Sequence, residues 1–239
     1  MAEPTIDALR DLLVAGEPVQ ADWAAQVTGD LRLDRVPLRD LSVLAGCTGL
    51  RGLFLNRVHV TDATPLARLH GLERLSLKLT RITDIAPLAG LTGLTSLILS
   101  FTSVTDVAPV AGLTALESLY LTGTLVTDIA PLAGLTKLDR LDLGATGVSD
   151  ITPLAGLTRL RSLELCDTKV TDLTPLACLM ALEFLDLGET RVTDLSPLAG
   201  ITGLRRLDLR GTAVTDRSML PPTCEIVSSQ TYRRARRWR

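Results

Sequence analysis

Nine aspartates stand on one beat, Asp40, Asp62, Asp84, Asp106, Asp128, Asp150, Asp172, Asp194 and Asp216, each 22 residues after the last. A column of carboxylates at a fixed interval could hold divalent cations, which take oxygen ligands. A second use competes with that one. An aspartate just ahead of a helical turn accepts a hydrogen bond from an amide two or three residues on, and its charge suits the positive end of the turn. Prolines follow three residues later, at Pro65, Pro87, Pro109, Pro131, Pro153, Pro175 and Pro197. Proline is tolerated in the first turn of a helix, where its missing N–H would have no helical partner. The aspartates are therefore assigned to capping, and no metal or other cofactor is expected.

No other grouping reads as catalytic. His59 and His70 are the only histidines, and both are expected at the surface rather than as a base or ligand. The chain has neither a GxxxxGKS loop to cradle phosphate nor an HExxH pair for zinc. Cys47, Cys166, Cys178 and Cys224 lack metal-type spacing and are expected as reduced thiols. Cys166 is placed facing outward, with no histidine near it to act as a base. An enzyme is not predicted. One charged feature stands out, the segment RRARRWR, which carries Arg233, Arg234, Arg236, Arg237 and Arg239 on a chain whose net charge is −2. It is a candidate anchor for nucleic acid or another anionic surface.

The elements that position these residues follow from the period. About ten residues before each aspartate lies a Leu-x-Leu pair, from Leu31 and Leu33 through Leu53 and Leu55 to Leu207 and Leu209. Alternation of this kind gives a short strand with one buried and one exposed face. Repeats of 20 to 50 residues stack, because no single unit can bury its own face. Nine such strands, ~4.8 Å apart, would form a parallel sheet about 40 Å long. The Thr-Asp-Ile-x-Pro-Leu segment must return the chain along the other side in a short 3-10 turn, with Gly46, Gly90, Gly112, Gly134, Gly156 and Gly200 letting it bend towards the next strand. Val43 in the first unit and Met219 in the last break the proline beat.

The expected architecture is an α/β, β-dominated repeat solenoid. Residues 1–30 form an N-terminal helical cap, from the helical spacing of Ile6, Leu9, Leu12, Leu13, Trp23, Ala24 and Val27. Residues 31–216 form nine repeats, and residues 217–239 a last strand near Cys224–Val227 followed by the arginine-rich segment. Both ends would cover an exposed core layer and an open sheet edge.

Apolar residues make up 46% of the 239 and aromatics only 3%, so the core must be built from aliphatic side chains. The start, MAEPTIDALRDLL, has no basic stretch leading into an apolar run, and no stretch of 18 apolar residues occurs. Neither a standard export signal nor a membrane span is predicted, and the cytoplasm is the expected location. The excess of arginine, 22 against 3 lysines, points to a GC-rich bacterial genome.

The pattern LxxLxLxxTxVTDIxPLAGLTx resembles the leucine-rich repeat proteins, and among them the bacterial kind with 22-residue repeats found in internalins, over about residues 31–216. The resemblance implies a right-handed horseshoe with a parallel concave sheet, short 3-10 turns on the convex side, and a protein partner on the sheet. It does not identify the partner or the oligomeric state. Similar arrays also serve as the recognition part of larger signalling assemblies. One departure is systematic. Where the family usually has a ladder of asparagines, this chain has Thr80, Thr102, Thr124, Thr146, Thr168, Thr190 and Thr212, with Val58 earlier. A hydroxyl has one hydrogen to donate against two on an amide, so a weaker ladder between repeats is expected. Internalins are exported and anchored to the cell wall. Here LPPTC at 220–224 is similar to the LPxTG sorting signal, but Cys224 replaces the glycine and no apolar run follows, so anchoring is not expected.

Function should lie in the positions that vary. The residues between the paired leucines run Arg32, Phe54, Ser76, Ile98, Tyr120, Asp142, Glu164, Asp186 and Asp208, and those two past the second leucine run Arg35, Arg57, Leu79, Phe101, Gly123, Ala145, Asp167, Glu189 and Gly211. Read as outward strand positions, they give the concave face an apolar half (Phe54, Leu79, Ile98, Phe101, Tyr120) and an acidic half (Asp142, Glu164, Asp167, Asp186, Glu189, Asp208) bordered by Arg140, Arg206 and Arg210. Phe184 is a further outward aromatic. Exposed aromatic clusters mark interaction sites. Nucleic acid is not expected on this face, because it lacks interleaved basic and aromatic residues and its acidic half repels phosphate.

Overall fold

A computed structural model describes residues 5–227, apart from Pro18 and Arg39. Two helices come first, α1 (Ile6–Ala15) and α2 (Ala21–Gln26). The Thr5 hydroxyl oxygen accepts the Ala8 amide at 3.2 Å to open α1, and Gly16 closes it at φ 72°, where a residue without Cβ meets no steric cost. Leu9 and Leu13 fall one turn apart on the same side of α1, and both are buried in the core beside Ala24.

The strands that follow are β1 (Gly29–Arg32), β2 (Leu50–Phe54), β3 (Arg74–Ser76), β4 (Ser96–Ile98) and β5 (Ser118–Tyr120), then β6 (Arg140–Asp142), β7 (Ser162–Glu164), β8 (Phe184–Asp186), β9 (Arg206–Asp208) and β10 (Glu225–Val227). They form one parallel sheet in chain order, β1 to β10, with no crossover. The register follows the repeat, since Leu53, Leu75, Leu97, Leu119, Leu141, Leu163, Leu185 and Leu207 are successive partners. In each three-residue strand the central leucine turns into the core and its neighbours turn away, as the pleat requires. These leucines are at most 2% exposed. Aliphatic side chains stacked in this way fill each layer without aromatic bulk. Among the described residues no helix is long and apolar enough to cross a membrane.

Among the described residues the return legs carry eight 3-10 turns, from Ser42–Leu44 to Ser196–Leu198. All nine aspartates accept the amide two residues on, at 2.7–2.9 Å. Prolines occupy the first positions of the turns from Thr64–Arg68 onward. In the last unit, where Met219 replaces proline, Asp216 still caps Ser218 but the segment is a plain turn.

Two expectations need correction. None of Gly46, Gly90, Gly112, Gly134, Gly156 and Gly200 adopts a positive φ. Glycine there serves no special backbone geometry, and Arg68 and Cys178 hold the same place in other repeats. The threonines, in turn, do not link repeats. Each hydroxyl donates to the carbonyl three residues back in its own repeat, from Thr80 to Leu77 at 2.7 Å through Thr212 to Leu209 at 2.7 Å. A short hydroxyl side chain reaches its own backbone more readily than a neighbour's, so the row closes turns and builds no ladder.

Candidate functional site

The face of the sheet turned away from the core presents one residue after each central leucine. Phe54, Ser76, Ile98, Tyr120, Asp142, Glu164, Asp186 and Asp208 are register partners on consecutive strands β2 to β9. Ser76 is 1% exposed and interrupts the apolar run between Phe54 and Ile98. Phe184 opens β8, three strands beyond Tyr120. At ~4.8 Å per strand it is about 14 Å from the apolar half and belongs with the acidic one.

The second variable row lies past the strands. Arg35, Arg57, Leu79, Phe101, Gly123, Ala145, Asp167, Glu189 and Gly211 all have φ between 52° and 73°. The amide of each, up to Glu189, still donates to a carbonyl of the next repeat, as from Leu79 to Ser100 at 3.0 Å and Phe101 to Thr122 at 2.7 Å. In the same repeat the Thr80 amide bonds back to the Leu77 carbonyl. The third residue of this four-residue turn is thus left-handed, the type II arrangement that favours glycine. Period-two counting put these side chains on the strand. The backbone instead leaves the sheet here, and seven non-glycine residues carry the conformation.

One of those residues is held in place by its neighbour. The Phe101 ring, 47% exposed, lies against Gly123, where an added Cβ would stand 2.6 Å from a ring carbon. The Lys78 ammonium sits over the ring at 5.7 Å from its centroid, and the Arg32 guanidinium covers Phe54 at 4.0 Å. Among the described residues, cations rather than stacked rings flank these aromatics. Leu79 and Phe101, exposed and adjacent in the turn row, and Ile98 and Tyr120, half-buried on paired strands, make up the apolar part of the face.

Three of the four carboxylates in the acidic column, all of them aspartates, bind backbone in their own repeats. Asp142 Oδ1 accepts the Gly144 amide at 2.9 Å, Asp186 Oδ1 the Gly188 amide at 2.8 Å, and Asp208 Oδ1 the Arg210 amide at 3.0 Å and its Nε at 2.8 Å. Asp208 is only 6% exposed and ion-paired to Arg210, so it offers little to a partner. Glu164 stands between Asp142 and Asp186. Burial against the sheet and then those two charges push its carboxyl up to about 7. Asp186 is also raised, by burial above all, against the pull of the Gly188 amide.

Cys166 does not suit nucleophilic chemistry. Burial and then the surrounding carboxylates, Asp186 first, push its thiol up to about 12, which disfavours the thiolate. The capping aspartates are likewise committed. The hydroxyl and amide two residues on hold Asp40, Asp62, Asp150 and Asp172 below the ordinary carboxylate range. Both histidines are exposed. Arg233, Arg234, Arg236, Arg237 and Arg239 lie outside the described residues.

Comparison with known proteins places this geometry. A family model described as leucine-rich repeats in two copies matches residues 92–134 and 114–156. The solved structure of an internalin C2 from Listeria monocytogenes is similar at 32% identity and a TM-score of 0.78, over 85% of this chain and 91% of that one. An internalin InlF from the same species is similar at 26% identity and a TM-score of 0.58, over 92% and 82%. A leucine-rich repeat protein of Leptospira interrogans shares the fold at 21% identity and a TM-score of 0.76, over 87% of this chain and 55% of that one. A search of curated proteins found no match.

Proposed function

This chain belongs to the leucine-rich repeat proteins, and from that premise we propose that it is a non-enzymatic scaffold that binds a protein partner on its concave sheet. The observation that carries this reading is the cluster Leu79, Ile98, Phe101 and Tyr120. Large apolar side chains, two of them more than a third exposed, lie on neighbouring repeats of a face that has no covering element among the described residues. Aromatic anchors of this kind dominate interface energetics. Cytoplasmic location and bacterial origin are part of the same reading, the origin on the arginine bias of the sequence.

The test compares the intact chain with Phe101→Ala/Tyr120→Ala for capture of proteins from a lysate of the source cell. The expected result is a partner retained by the first and lost by the second, with thermal unfolding nearly unchanged. A large loss of stability in the double variant, with binding retained by what remains folded, would show that the rings only cover the sheet.

A further inference from the structure

The acidic half of the concave face lies beside the point where the described chain leaves the sheet. Asp142, Glu164, Asp186 and Asp208 occupy consecutive strands in register, each ~4.8 Å from the next. Like charges set opposite one another on neighbouring strands are destabilising. Arg210 answers Asp208, and its charge also reaches Asp186. Among the described residues no ion pair reaches Asp142, Glu164, Asp167, Asp186 or Glu189. Glu164, flanked on both sides, carries the raised carboxyl described above.

Beside these carboxylates is a hollow of about 300 Å³ whose walls include Phe184, Glu164, Asp186 and Arg206. Phe184 is 44% exposed. An open aromatic face next to two carboxylates suits a guanidinium, which stacks on rings and bonds carboxylates through its planar fork. The same sheet already makes the stacking half of that contact at its other end, where Arg32 covers Phe54 at 4.0 Å.

The sequence supplies a matching group. Val227, the last described residue, pairs with Asp208, so β10 lies one strand from the acidic column. Arg233 lies six residue steps past Val227, a reach of up to ~20 Å. From β10 to β7 is three strand spacings, ~14 Å. The chain leaves β10 at the strand end where Asp167 and Glu189 follow β7 and β8, so the segment emerges on the side of the exposed carboxylates. Five arginines within seven residues match in number and sign the five carboxylates that have no ion pair among the described residues.

We propose that Arg233–Arg239 of the same chain docks across the acidic half of the concave sheet, with one guanidinium in the hollow between Phe184, Glu164 and Asp186. The segment neutralises the column and covers repeats six to nine, and it leaves the apolar half open to a partner. The inference rests on reading this face as a binding surface, yet its test does not involve Phe101 or Tyr120, so the two can fail separately.

The chain has two tryptophans, and one lies inside the segment. In a full-length Trp23→Phe variant, Trp238 alone reports. Quenching of its fluorescence by acrylamide, a neutral quencher, is measured at low salt and at about 1 M NaCl, where the Debye length falls to ~3 Å. Protection at low salt that is lost at high salt, and lost at both in Glu164→Gln/Asp186→Asn, is the expected result. Equal quenching at the two salt concentrations would overturn the proposal, as would protection that survives the double substitution. Protection that grows with protein concentration would also overturn it, by placing the segment on a second copy. Asp167→Asn/Glu189→Gln, both exposed, is the second variant should the first not fold, and protection should weaken there too.

Discussion

Replacing Ala145 with glycine should stabilise the protein, while the opposite exchange at Gly123 should destabilise it, and by more. Ala145 sits at φ 52°, a conformation that costs a residue with Cβ ~1–2 kcal/mol. Glycine removes that cost but frees the unfolded chain, which takes back ~0.4–1 kcal/mol. The net gain is roughly 0.5–1 kcal/mol, or about 1–4 °C in melting temperature for a chain of this length. Gly123, at φ 66°, should lose a similar amount on becoming alanine, and there the new Cβ would also stand 2.6 Å from the Phe101 ring. The ring must move. In a Phe101→Ala background that second contribution vanishes, so the cost of Gly123→Ala should fall by the coupling between the two sites, ~0.5–3 kcal/mol for residues in contact. Guanidinium unfolding followed by circular dichroism, with thermal melts alongside, gives all the values needed. A lower stability for Ala145→Gly, or an equal cost of Gly123→Ala in both backgrounds, would refute the reasoning.

Thr124→Val should cost about 1 kcal/mol in urea unfolding, because its hydroxyl is 3% exposed and donates to the Leu121 carbonyl at 2.7 Å; Val58→Thr, at the equivalent place near Leu55, should be neutral or stabilising. Glu164 titrates at about 7 in the folded chain against an ordinary value of 4.5, so its protonated form favours the fold and that contribution is lost as pH rises through 7. The melting temperature should therefore fall between about pH 5 and pH 8 more steeply in the natural chain than in Glu164→Gln, and parallel profiles would contradict the assignment.

The solenoid was legible because the letters that build it recur. Each leucine, aspartate and proline position is written out repeat after repeat, and the strand register repeats with it. The turn row was hidden for the opposite reason. Leu79, Phe101, Asp167 and Glu189 share a backbone conformation but no side-chain chemistry, and only Gly123 and Gly211 carried its usual mark. Threonine was legible as a polar residue at a buried place, but its partner was not, since a hydroxyl can bond within its own turn or across repeats with the same letter. Asp186 and Asp208 show where single positions stop being readable. They are equivalent in the repeat, yet Arg210 folds over Asp208 and buries it, whereas Asp186 is followed by Gly188, which has no side chain to do so.

Strands in chain order, each bonded only to the repeats before and after, make the array editable in whole units. ITDIAPLAGLT at 82–92 and VTDIAPLAGLT at 126–136 differ at one position, so recombination between them would remove two repeats and leave every remaining layer with a matching neighbour. β3 would then lie against β6 and Ser76 against Asp142. The excised piece carries Ile98, Phe101 and Tyr120, so one in-register deletion would take three of the five residues of the apolar half and leave the acidic half whole.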